Sequence, residues 1–159
     1  MTGLPTSGKS TVGVILAKEL GYDFVDGDLL IQKRAGKKLA AIMEELGVDG
    51  FLKLEEEIHL ELECSRTVIA PGGSVIYGVR GMEHLSSLGT VIYLHLTLET
   101  LKSRLHDARN RGVALREGQT IEQLYEERIP LYERYADITV YEEGKNIEQV
   151  VSEISRLIR

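Results

Sequence analysis

Eight residues near the start of the chain, Gly3-Leu4-Pro5-Thr6-Ser7-Gly8-Lys9-Ser10, fit the spacing G-x-x-x-x-G-K-S. Such a run can hold phosphate. Its glycines let the backbone wrap with N–H groups pointing inward, and a helix beginning near Lys9 turns its positive end toward the loop. Lys9 adds a mobile charge, and the Ser10 hydroxyl can face Mg²⁺. A glycine turn that merely capped a helix would need one glycine and a serine, so the spacing favours nucleotide phosphate. A second group, Asp26 and Asp28, alternates at the end of a short strand, where ligands collect in parallel sheets. A carboxylate there can orient a substrate hydroxyl, accept its proton or hold Mg²⁺ through water. Asp28 in a turn could equally cap the following helix. On the aspartates alone both readings stand.

The elements that must position these groups follow from apolar spacing and breakers. Helical patterns cover 9–20, 29–34, 37–46, 50–63, 81–88, 98–108, 121–135 and 147–158, and strands are expected at 22–25, 67–70, 91–96 and 138–141. The alternation predicts one α/β domain over 1–159, a three-layer α/β/α arrangement on a parallel sheet. A polar segment, about 109–119, separates two helices as a candidate lid. Only Met1 and Thr2 precede the glycine loop, whereas its mechanism calls for a buried strand immediately before it. The first, central strand is therefore expected to be missing and the natural start to lie upstream. A protein beginning at Met1 is expected to pack loosely.

With 159 residues, 43% hydrophobic and 28% charged, the composition is that of one globular domain rather than a disordered or disulfide-dense chain. A net charge of −6 argues against a dedicated nucleic-acid surface. No apolar run reaches membrane-spanning length, so the chain is expected to be cytoplasmic and, by its size, to act as a monomer. Cys64 reads as a packing residue, and His59, His84, His95 and His106 show no metal-ligand spacing. Tyr125, Tyr132 and Tyr135 recur at helical spacing and read as packing. Glu55, Glu56 and Glu57 read as a solvated helix face, with Glu55 able to hold an arginine such as Arg128. Arg109 and Arg116 read as loop cations.

The motifs also occur in a recognisable order. They are G-x-x-x-x-G-K-S-T-x-G from Gly3 to Gly13, F-x-D-x-D from Phe24 to Asp28, F-x-x-x-E from Phe51 to Glu55, and Gly72-Gly73 after a strand. L-x-x-R ends at Arg104 with Arg111 seven residues on, and R-x-P-L-Y runs from Arg128 to Tyr132. Over nearly its whole length the chain resembles the shikimate kinases, P-loop kinases of small molecules.

The resemblance implies that ATP is held by Gly3, Pro5, Thr6, Ser7, Gly8, Lys9, Ser10 and Thr11, with Arg104 packing against adenine. It implies Mg²⁺ at Ser10 and Asp26, and transfer assisted by Lys9, Asp26 and Arg111. A small hydroxyl-bearing acceptor would be read by Asp28, Gly72, Gly73 and Arg128. The chain departs from the family at Leu52, where a carboxylate-binding arginine is usual, at Ser74, where a third glycine is usual, and in its lid, which reads Arg111-Gly112-Val113-Ala114-Leu115. Leucine offers no donor. Leu52 is therefore expected to form an apolar wall of the acceptor site, and the acceptor to be shikimate or a polyol or cyclitol with one anionic group or none. The competing readings are a nucleoside or nucleotide kinase and a non-catalytic or truncated nucleotide-binding paralogue.

Overall fold

A computed structural model of the chain describes residues 1–106 and 113–159. Within them strands and helices alternate in the order β1 (Thr2–Gly3), α1 (Lys9–Leu20), β2 (Asp23–Asp26), α2 (Gly27–Ala35), α3 (Leu39–Leu60), β3 (Thr67–Ala70) and α4 (Val79–Leu88). β4 (Ile92–His95), α5 (Leu98–His106), α6 (Ile121–Tyr135), β5 (Ile138–Tyr141) and α7 (Ile147–Leu157) complete the series. A 3-10 turn at Val75–Tyr77 was not anticipated, because three apolar residues in a row carry no helical period.

Every described strand pair is parallel. β4 lies between β1 and β5, with Thr2 opposite Tyr93 and Ile92 opposite Ile138, while β2 pairs with β3 in the register Asp23 to Thr67. The two ladders meet where the Met1 amino group donates to the Ile69 carbonyl at 2.6 Å. A strand therefore stands where none was expected: Thr2 and Gly3 pair with Tyr93 and Leu94 and lead directly into the glycine loop.

Successive side chains of a strand face opposite ways, and this sorts the core into layers. Ile92 and Leu94 meet Val12 and Leu16 of α1 and Val150, Val151 and Ile154 of α7; Val91 and Tyr93 meet Met82 of α4, Leu101 of α5 and Tyr132 of α6. Away from the sheet, Ile31, Leu39, Ile42, Phe51, Ile58 and Ala114 form a third cluster between α2 and α3. The two helices expected at 37–46 and 50–63 run into one element that breaks at Gly47, whose φ of 69° and ψ of 176° are not helical. No described helix is long and apolar enough to cross a membrane.

α7 is closed by a reciprocal cap, the Asn146 side chain accepting from the Gln149 N–H and the Gln149 side chain from the Asn146 N–H, both at 2.9 Å. Asn146→Ala is expected to cost about 1 kcal/mol. Thermal unfolding should show a midpoint about 2–4 °C lower.

Candidate active site

The glycine loop between β1 and α1 is shaped by backbone that side chains resist. Thr6 has a φ of 67° and Gly8 a φ of 76°, and a Cβ on Gly3 would come within 2.8 Å of the Leu94 carbonyl oxygen. Into this turn the buried Lys9 folds back. Its ammonium donates to the carbonyls of Gly3 at 2.9 Å and Leu4 at 2.8 Å, and reaches Ser7 Oγ at 3.4 Å. Burial pushes Lys9 down to about 8, against the pull of Asp28. On the outer side Arg104 of α5 donates to the Thr6 carbonyl at 2.8 Å, so it braces the loop.

Two aspartates stand at the junction of β2 and α2, and their jobs differ. Ser10 Oγ donates to Asp26 Oδ2 at 2.8 Å, and Asp26 Oδ1 accepts from the Leu29 N–H at 3.1 Å. Asp26 is therefore the cap of α2, the role that sequence left open for Asp28. Asp28 is released to face the cleft, where burial raises its carboxyl and Lys9 opposes the rise. Gly72 makes room for it, since a Cβ there would lie 2.5 Å from Asp28 Oδ1.

Arg128 enters from α6, 1% exposed. Its Nη2 donates to the Ala114 carbonyl at 2.9 Å, its guanidinium lies 5.3 Å from the centre of the Tyr77 ring, and Nε has no partner among the described residues. A Cβ on Gly73 would stand 3.3 Å from Nη1. Tyr132, stacked on Tyr93 at 5.2 Å, donates to the Gly73 carbonyl and so fixes this turn, a packing role as expected for the α6 tyrosines.

These groups share one cavity of about 220 Å³. Of the residues singled out by sequence, Pro5, Thr6, Gly8, Lys9, Ser10, Thr11, Asp28, Gly72, Gly73 and Arg128 line it. Gly3 and Ser7 lie behind the loop, and Asp26 and Arg104 reach it through hydrogen bonds. Arg109 and Arg111 fall outside the described residues. Arg116, read as a loop cation, pairs with Asp49 on the surface.

Two expectations are corrected. Leu52 is not among the described residues lining the cavity; it packs on the third cluster, and the apolar wall is made by Phe51, Val113 and Ala114. One residue along a helix is about 100° round, so Phe51 and Leu52 cannot share a facing. Glu55 is not on a solvated face and makes no hydrogen bond to Arg128: it is 2% exposed and accepts from Ser74 Oγ at 2.7 Å. Its place was readable, because Phe51, Glu55, Ile58 and His59 form one buried stripe at helical spacing. Sequence reasoning also missed Glu142, which follows β5 and whose Oε1 lies 4.0 Å from a Cβ placed on Gly8. Burial raises Glu142 to about 7, with Arg104 and Lys9 opposing. It belongs to no spacing motif and only the fold brings it to the loop.

The arrangement places an anion cradle and a hydroxyl-reading carboxylate on one small cavity beneath an apolar cover. The shikimate kinase family model matches residues 5–159. A shikimate kinase of Chlorobium chlorochromatii is 38% identical over 169 residues, spanning 99% of this chain and 88% of that relative. The solved structure of the Acinetobacter baumannii shikimate kinase in complex with shikimate superposes with a TM-score of 0.89 at 31% identity, covering 99% of this chain and 90% of the other. That of Aquifex aeolicus gives 0.83 at 35%, covering 98% and 95%.

Proposed function

The chain belongs to the shikimate kinase family, ATP-dependent phosphotransferases with an alcohol acceptor, and on that premise we propose that it moves the γ-phosphoryl of ATP onto a hydroxyl of shikimate or of a closely related ring polyol. The observation that carries this reading is the shared cavity, whose lining includes the phosphate loop, Asp28 and Arg128 together.

Lys9, swung from the Gly3 and Leu4 carbonyls, meets the β and γ phosphates, and the loop N–H groups hold the rest. Ser10 and Asp26 fit Mg²⁺, since a hydroxyl and a carboxylate already 2.8 Å apart are the hard oxygen donors that cation takes. Bound there, Mg²⁺ supplies neutralisation of the phosphate charge. Asp26 stands next to the attacking hydroxyl, and Asp28 accepts from acceptor hydroxyls and orients them. Arg128 gives one Nη2 hydrogen to the Ala114 carbonyl and offers its end-on pair, Nη1 with the second Nη2 hydrogen, to one carboxylate. Gly72 and Gly73 let the ring lie against backbone. Arg104 flanks the base, Arg111 meets the transferring group from the lid, and Val113 with Ala114 excludes water.

The test is ADP formation from MgATP with shikimate and a panel of polyols and nucleosides, with the added phosphate located by mass spectrometry. Transfer to shikimate or a ring polyol is expected. Transfer to nucleosides alone would replace this reading with a nucleoside kinase, and transfer to nothing would leave a nucleotide-binding paralogue.

A further inference from the structure

Behind the cavity wall, beside Asp28, lies a carboxyl that the phosphoryl-transfer chemistry above does not use. Glu55 sits on α3 behind the 72–74 turn, 2% exposed. One oxygen, Oε1, accepts from Ser74 Oγ at 2.7 Å, and the other, Oε2, has no partner among the described residues. A Cβ built on Gly72 would lie 2.5 Å from Asp28 Oδ1 and 2.9 Å from Glu55 Oε2, so the two carboxyls converge on the one open face that this glycine leaves between them. The backbone behind Glu55 is pinned as well, His59 Nδ1 lying 2.7 Å from the Glu55 carbonyl oxygen. Any shift of Glu55 must therefore be taken up by Gly72, by the turn on which the acceptor rests, or by Asp28.

We propose that Glu55 is a positioning residue for the acceptor: held by Ser74 and bearing on Gly72, it sets the placement of the 72–74 turn and of Asp28, and its charge state governs acceptor affinity without touching the nucleotide. The inference rests on the family reading of the reaction but not on which acceptor is natural.

The groups facing Glu55 are Asp28 from α2, Arg128 and Tyr132 from α6, Lys9 from α1 and the Ser74 hydroxyl. Burial lifts Glu55 to about 7, the Ser74 hydrogen bond pulls down, Asp28 pushes up, and Arg128 and Lys9 pull down. Below that pH the carboxyl is neutral and Asp28 has no like charge across Gly72. Above it a second negative charge repels Asp28 and any carboxylate on the acceptor. The Michaelis constant for the acceptor should therefore rise about three- to tenfold as pH passes through 7, the scale of a like-charge contact in a partly screened site.

The experiment measures the acceptor and ATP Michaelis constants from about pH 6 to about pH 8 for wild type, Glu55→Gln and Ser74→Gly. The acceptor inflection should vanish in Glu55→Gln, which carries a fixed neutral group of the same shape, and move to higher pH in Ser74→Gly, which loses a donor to the carboxylate. The shape of the ATP profile should be the same in all three. In parallel, without any substrate, the amide resonances of 72–74 should titrate near pH 7 in wild type and not in Glu55→Gln. That arm succeeds or fails whatever the natural acceptor is. An inflection that persists in Glu55→Gln, amides that titrate alike in both proteins, or an equal change in the ATP constant would overturn the proposal. If Glu55→Gln does not fold, an unmoved inflection in Ser74→Gly does so.

Discussion

Lys9→Ala should lower turnover by roughly a hundred- to a thousandfold, the cost of removing one electrostatic contact from the transition state, about 3–4 kcal/mol. Its effect on stability should run the other way. Folding takes the Lys9 ammonium out of water and depresses its pKa from 10.5 to about 8. Between those values the unfolded chain binds a proton that the folded chain has released, so stability from this group rises with pH across that window and is least at neutrality and below. Without nucleotide, Lys9→Met should thus melt no lower than wild type at pH 7, and its advantage should shrink toward pH 10. Calorimetry with and without MgATP checks both halves. Unchanged turnover in Lys9→Ala would refute the placement of the phosphates at this loop.

Much of this was legible because the loop is a local device. The glycine spacing, the lysine and the serine fix a turn whose positive φ values at Thr6 and Gly8 follow from eight consecutive residues. β3, α6 and β5 matched their expected bounds because apolar periods ended at clear breakers. Leu52 and Glu55 were misplaced for another reason. Each was read from a motif position or a run of like charges, whereas facing is set by the helical angle from Phe51 and by what packs opposite. Glu142 could not be found at all, since β5 is brought beside the glycine loop only by its pairing with β4. The two-residue β1 was missed because two residues carry no period, and its ladder bonds to β4 show only in the fold.

Arg128→Lys is expected to raise the Michaelis constant for a carboxylate-bearing acceptor about ten- to a hundredfold, the worth of a charge-assisted, forked contact, while that for ATP stays within twofold of wild type, an order-of-magnitude allowance for a site untouched on the donor side. Lysine keeps the charge but not the planar fork, nor the stack on Tyr77, nor the bond from Nη2 to Ala114. Since Leu52 supplies no second guanidinium, Arg128 is the one arginine among the described lining residues. An acceptor without a carboxylate should lose far less, which separates charge recognition from simple loosening of the cover. Equal losses on both acceptors would show that Arg128 serves only to hold residues 113–115 in place.

The third apolar cluster bears on how such an enzyme can change its diet over evolutionary time. Ile31, Leu39, Ile42, Phe51, Ile58 and Ala114 form a grouping separate from the two that sandwich the sheet, yet Phe51 and Ala114 also line the cavity. Exchanges there should alter local opening rather than global unfolding. In hydrogen exchange, Ile42→Val should speed the amides of α2 and the first half of α3 while leaving those of β4 and α1 at wild-type rates. A lineage can then drift from one ring polyol to another through this annex, with the nucleotide-binding half inherited intact.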